Sequence, residues 1–291
     1  MNRLARQTAA ASIVALTTAA VCALVILPSA SRAPAAGVDL HFRTLPPHAA
    51  LPSGQYCAAA IPPSPETRPQ NIPFNHTEPA VSQLLNFYKH PVFGSNPPAS
   101  DFFLVDGHYQ GSTDMILRWA ACKWGIDEDV MRAQAWTESK WRQGGPNPGD
   151  GGGDKRTLRS QCVQGAFTAL WNLGCPGCCY QSWGILQTKV YYAWGTWPMI
   201  KDSTAFNADY RGADQRACMN GDYASYFASA AQQPNTYAAD IASGDLARIL
   251  WGCIGMHYSG GWYTPSSLPY IRETQGYLTT KPWTALRPTS P

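Results

Sequence analysis

Glu138 is followed at once by Ser139, and then in order by Gly184-Ile185-Leu186-Gln187, His257-Tyr258-Ser259-Gly260 and Glu273-Thr274-Gln275-Gly276-Tyr277-Leu278. An acid on a helix, a Gly/Gln turn and a downstream tyrosine are the parts needed to break a glycosidic bond. The acid must deliver a proton to the leaving oxygen near neutral pH. A carboxyl group at the edge of an apolar stripe is suited to this, because desolvation disfavours the charged form. Met131, Ala135 and Glu138 stand at i, i+4 and i+7, so on a helix they share one face. Trp141 follows three residues later.

The flanking sequence predicts the elements that hold these residues. Ser112 or Thr113 caps a helix with Asp114 in its first turn, and Gly125 ends it near Trp124. Asp127 caps the next helix, where Glu128 and Asp129 complement the dipole. That helix, predicted to run to about 142, carries Glu138. A loop over 144–154 with six glycines and two prolines comes next. Further helices are predicted near 157–173, 222–232, 236–242 and 246–257. Strand signals are weak, so the class is mainly α over 101–280. Residues 37–100 hold Pro46-Pro47, Pro62-Pro63 and Pro97-Pro98. They are expected to run extended, as a spacer or draped over the domain and pinned by Cys57, with a short helix near 81–88. Residues 281–291 form a C-terminal tail.

The first 36 residues read as an export signal. Arg3 and Arg6 precede an uncharged, mostly apolar run from Thr8 to Leu27, and Ala33-Pro34-Ala35 offers a cleavage site. If uncleaved, the run is long enough to serve as a membrane anchor. Three of the 22 basic residues precede the cut and no acid does, which leaves 19 against 19 acidic residues. A neutral mature chain argues against nucleic acid as a partner, because phosphate-backbone binding needs a basic surface. Behind the signal remain Cys57, Cys122, Cys162, Cys175, Cys178, Cys179, Cys218 and Cys253. An even count in an exported chain reads as disulfides, with pairing left open. The Cys175–Cys178 pair lacks the strand–helix context of a redox motif. No histidine lies nearby to complete a zinc site.

In their order the four motifs resemble the soluble lytic transglycosylase family, within the lysozyme-like superfamily that includes goose-type lysozymes. Glu138-Ser139 is similar to the family's Glu-Ser at a helix end, and Gly184-Ile185-Leu186-Gln187 to its Gly-Leu-Met-Gln turn. Glu273, Thr274, Tyr277 and Leu278 resemble its terminal Glu-Thr-x-x-Tyr-Val. The resemblance covers about 105–280. It implies a lysozyme-like fold, peptidoglycan glycan strands as partner, a monomer, and no cofactor or metal. It also implies that Glu138 acts as acid and then base, and that Tyr277 lies close to it. Ser139, Gly184, Gln187, Tyr258 and Tyr277 would hold substrate.

The chain departs from the family in two places. The third motif has His257-Tyr258 where the family has Tyr-Asn. The 46 positions from Glu138 to Gly184 are long and hold four cysteines, which suggests a disulfide-stapled loop insertion. Asp150 and Asp154 lie there without the spacing of a calcium loop. No acid flanks Gly184–Gln187, which favours closure of a 1,6-anhydro ring over hydrolysis, leaving Asp150, Asp154 and Asp202 as acids that could reach in. A goose-type hydrolase and a non-catalytic wall-binding protein are the alternatives. Among the eleven tryptophans, Trp183, Trp194, Trp197 and Trp262 are the expected groove residues. Trp119, Trp124 and Trp136 are expected to pack in the core.

Overall fold

A computed structural model describes residues 40–90, 100–144, 157–158, 178–179, 182–190 and 192–286. Side-chain capping starts five of its helices. Ser53, Ser112, Asp127, Ser203 and Asp245 each accept a hydrogen bond from a backbone N–H of the first turn they precede. The helices are α1 (Gly54–Ala60), α2 (Ile72–Asn75), α3 (Val81–Lys89), α4 (Thr113–Trp124), α5 (Glu128–Ser139), α6 (Met199–Asp202), α7 (Thr204–Met219), α8 (Ala224–Phe227), α9 (Tyr237–Ser243), α10 (Leu246–Ser259) and α11 (Ser267–Thr280). Two short antiparallel pairs complete the described structure: β1 (Thr157–Leu158) with β2 (Cys178–Cys179), and β3 (Ser182–Trp183) with β4 (Thr188–Lys189). The protein is mainly helical. No helix among the described residues is long and apolar enough to cross a membrane.

Helix α4 packs against α5 and α7, α10 against α7, and α11 against both α5 and α10. Ile116, Leu117, Trp124, Met131, Phe206 and Ile254 fill the space between them, each fully buried. Helix α5 stops at Ser139, three residues short of the predicted end, because Lys140 and Trp141 take left-handed conformations (φ 55° and 66°). That stop places Glu138 in the last turn.

Other expectations need correction. The long buried helix α7 and the helix α11 were not predicted. The helix expected over 222–232 is broken into α8 and a 3₁₀ turn at Ala230–Gln232. Where a helix was expected from 157, Thr157 and Leu158 pair with Cys179 and Cys178 instead. The rest of that stretch lies outside the described residues. So do the 144–154 loop beyond Gly144, with Asp150 and Asp154, as well as Cys162 and Cys175. Only the backbone of Cys178 and Cys179 is described.

The proline-rich segment is draped over the helices and not extended throughout, since its prolines flank α1 and α3 without interrupting them. Leu45 N–H donates to Gly125 O (3.0 Å), and Arg118 Nη2 donates to Leu40 O (3.0 Å). Cys57 does pin it, through a disulfide to Cys122 on α4. A second disulfide, Cys218–Cys253, joins the end of α7 to the middle of α10.

The two bridges join residues 65 and 35 positions apart. Restricting the unfolded chain over such loops is worth about 4 kcal/mol each. We expect a Cys218→Ser/Cys253→Ser double variant to lose about that much unfolding free energy in urea, and excess reductant to lower the melting temperature. An unchanged melting temperature under reductant would show that the bridges contribute nothing.

Candidate active site

The short backbone turn Gly184–Gln187 is held by two buried amide side chains, and a third braces one of them. Asn207 on α7 accepts Leu186 N–H at its Oδ1 (2.9 Å) and donates from Nδ2 to Trp183 O (2.9 Å) and Ile200 O (3.1 Å). Gln143 accepts Ile185 N–H (2.9 Å) and donates to Ile200 O (2.8 Å). Asn71, from the proline-rich segment, accepts Gln143 N–H (2.9 Å) and donates to Trp141 O (2.7 Å). Gly184 has φ +78°, and a Cβ there would stand 2.2 Å from Asn207 Nδ2 and 2.5 Å from Ile200 O. No larger residue fits. Ser139 joins α5 to this turn. Its hydroxyl donates to Ile185 O (2.8 Å) and accepts Arg142 N–H (3.0 Å), and the side chain is buried. Gln187 donates to Gly184 O (2.8 Å) and closes the turn on itself. Ser139, Gly184 and Gln187 are thus brought together beside the last turn of α5.

Glu138 meets α10 and α11 at one carboxylate oxygen. Tyr270 Oη donates to Oε1, and His257 Nε2 lies 3.2 Å from the same atom. Oε2 has no hydrogen-bond partner among the described residues. The Glu138 and His257 side chains are only 12% and 11% exposed, so both partners act in a shielded environment. The Tyr270 phenol is pushed well above its ordinary value by burial and by the charge of Glu138, so it remains a donor. Burial and the nearby Arg211 guanidinium hold the His257 imidazole below its ordinary value, against the pull of Glu138. Behind this trio the Gln134 amide oxygen accepts from Arg211 Nε (3.2 Å) and Nη2 (3.0 Å). Arg211 also pairs with Asp214, which accepts from Tyr223 Oη.

The tyrosine that meets the acid is therefore Tyr270 and not Tyr277, two helical turns further along α11. The Tyr277 hydroxyl meets Lys140 Nζ and Glu273 (3.1 Å each), and Lys140 also sits over its ring. The buried Thr274 does bridge the helices, with its hydroxyl 3.0 Å from that of Thr137. Tyr258 is exposed and stacks on the Tyr270 ring (centroids 4.8 Å apart, 11° between planes). Sequence reasoning missed Tyr270, Asn207, Gln143 and Arg211. It named His257 only as a departure. Trp183 and Trp262, expected in a groove, are buried, and Trp262 Nε1 donates to Asp240 (2.7 Å). Trp194 is exposed and stacks on His90, whereas Trp136, expected in the core, is half-buried beside Lys140 and Tyr277.

With both partners at Oε1, Oε2 is the Glu138 atom left to exchange a proton with a ligand. Compared with protein-family models, curated proteins and solved structures, the chain matches none.

Two outcomes follow from this geometry. Gly184→Ala meets both a steric clash and a left-handed backbone, and should cost at least about 2 kcal/mol of unfolding free energy; a wild-type melting curve would refute the account of the turn. His257 takes up its proton later in the folded than in the unfolded protein, so the unfolded chain binds more protons just below about pH 6.5. Its contribution to stability is full above that value and is lost on acidification. His257→Gln keeps a donor without the titration. Its unfolding free energy should vary less than the wild type's between about pH 7 and pH 5 when measured by urea unfolding.

Proposed function

We propose that this protein is an exported peptidoglycan lytic transglycosylase with a lysozyme-like fold, cleaving the β-1,4 bond between N-acetylmuramic acid and N-acetylglucosamine. The observation that carries the reading is the asymmetric setting of Glu138, where Tyr270 and His257 share Oε1 and Oε2 has no hydrogen-bond partner among the described residues. Two disulfides and the leader-like N-terminus support export.

In the first step the proton on Oε2 passes to the glycosidic oxygen, and the C1–O4 bond breaks with its electron pair leaving on the alcohol. Positive charge develops at C1 and the ring oxygen, beside a carboxylate stabilised by two donors. In the second step that carboxylate takes the proton of the sugar's own C6 hydroxyl as O6 bonds to C1. The products are a 1,6-anhydro ring and a reprotonated Glu138, with no water consumed. One carboxyl group serves both steps, whereas most glycoside hydrolases need two.

Asp214 supports a second reading, that of a hydrolase. It lines the cleft that His257 also lines, and could orient a water there. Its pairing with Arg211 and Tyr223 weighs against that role.

Purified peptidoglycan incubated with the protein should release anhydro-muropeptides, detected by mass spectrometry, and Glu138→Gln should release none. Reducing-end muropeptides would establish the hydrolase instead. Absence of any product from the wild type would overturn both. Tyr270→Phe should slow turnover by about tenfold or more, the worth of one donor to a developing charge. Tyr277→Phe should stay close to wild type. The reverse order would return the active-site role to Tyr277.

A further inference from the structure

Helix α3 turns one side to the core and leaves a second apolar side bare. Leu84 and Phe87 are buried, whereas Val81 and Leu85, one helical turn apart, are 71% and 56% exposed. Tyr88 carries this row onto the 3₁₀ turn Ser100–Leu104. Its hydroxyl donates to Val105 O (2.8 Å), and its ring lies against that of Phe103, with centroids 6.1 Å apart. Phe103 and Leu104 are 50% and 55% exposed. Single exposed apolar residues are ordinary, but a row of large ones on two joined elements marks an interaction surface. The ends of the row carry opposite charges. Lys89, one turn beyond Leu85, is exposed and has no carboxylate partner among the described residues. Glu78, three residues before Val81, is exposed and among those residues meets only the Gln110 amide (3.1 Å). A partner surface of one charge sign would suit one end of the row and be repelled at the other. A second copy rotated by 180° presents the opposite charge at both.

We propose that α3 is the seam of a homodimer, packed antiparallel on α3 of a second copy about a two-fold axis. Such an interface is self-complementary. Setting Lys89 against Glu78 of the second copy brings Leu85 beside Val81 of that copy, so one register satisfies both the charges and the apolar row. Antiparallel pairing also puts the negative C-terminal end of each α3 dipole next to the positive N-terminal end of the other. Phe103 and Leu104 flank the seam. The surface is smaller than the roughly 20–30 residues a side of a standard interface, so the dimer is weak and depends on protein concentration. The inference departs from the monomer that the resemblance implies, and it does not rest on the glycan-cleaving reading.

The test is sedimentation velocity on Ala33–Pro291, which forms a compact unit of its own. We expect a monomer–dimer transition between about 1 and about 500 μM protein. Leu85→Asp removes an apolar contact twice per dimer and should weaken association at least about a hundredfold. Its melting temperature should stay that of the wild type, because the side chain lies mostly outside the core of its own copy. Phe103→Ser, on the other element, should weaken association as well. Glu78→Lys and Lys89→Glu each replace two attractions by two repulsions and should each cost about tenfold, and the two together should restore the dimer. A monomer at every concentration, or a dimer indifferent to Leu85→Asp and Phe103→Ser, would overturn the proposal. Charge swaps that lose nothing, or whose combination restores nothing, would overturn it too. So would a monomer that floats with phosphatidylcholine vesicles and loses that binding on Leu85→Asp, which would give the row to a lipid surface. Muropeptide release does not enter the readout, so failure here leaves the glycan-cleaving reading as it stands.

Discussion

The structure is organised around one buried carboxylate that lies outside the candidate site. Asp209 on α7 is fully buried. Its Oδ2 accepts from Lys123 Nζ (2.8 Å) and from the backbone N–H groups of Asp106 and Gly107 (2.9 Å each), and its Oδ1 accepts from Trp124 Nε1 (2.7 Å). Burial raises the cost of this charge, and the four donors offset it. Removing one partner of such a pair leaves an uncompensated charge inside the protein, at a cost of about 3–5 kcal/mol. The arrangement thus enforces one docking of α7 on α4. Gly212, one turn below Asp209 on the same helix, allows the close approach, since a Cβ there would stand 2.2 Å from Trp124 Cδ1.

Once α7 is fixed, much of the site follows from helical geometry. Asn207, Arg211 and Asp214 stand at i, i+4 and i+7 on α7, and so share a face. Asn207 clamps the Gly184 turn, Arg211 reaches Gln134 on α5, and Asp214 orients both Arg211 and Tyr223. The Cys218–Cys253 bridge then couples α7 to α10, one turn before His257. Each side chain around Glu138 is therefore positioned by elements held together by buried polar contacts or a covalent bond. Such fixed donors need little reorganisation when charge develops.

The sequence was most legible where a helix has distinct ends and sides. Ser112, Gly125 and Asp127 marked the ends of α4 and α5 because each acts through local chemistry. Helix α7 gave no such signal from its sides. Fifteen of its sixteen residues are buried, Asn207, Asp209, Arg211, Gln215 and Arg216 among them, so it shows no apolar stripe against a polar one. Its polar residues read as surface, and only the tertiary structure shows where their partners are. The motifs around Ser139, Gly184 and Gln187 were visible, and the structure shows their side chains and backbone holding one turn together. On α11, Tyr270 and Tyr277 are seven residues apart and lie on nearly the same face, so sequence spacing could not choose between them.

The same constraint bears on why a histidine can stand beside the acid. In the proposed cleavage Glu138 starts as the acid, and an imidazolium 3.2 Å away would oppose that by favouring the carboxylate. The buried position and the guanidinium of Arg211 oppose charging of His257, so the ring can donate from Nε2 without contributing a full charge. Arg211 can exert that influence without placing a free cation in the cleft, because Asp214 pairs with it. The neutral donor at Oε1 thus depends on a charged pair on α7, the helix that the buried carboxylate of Asp209 docks on α4.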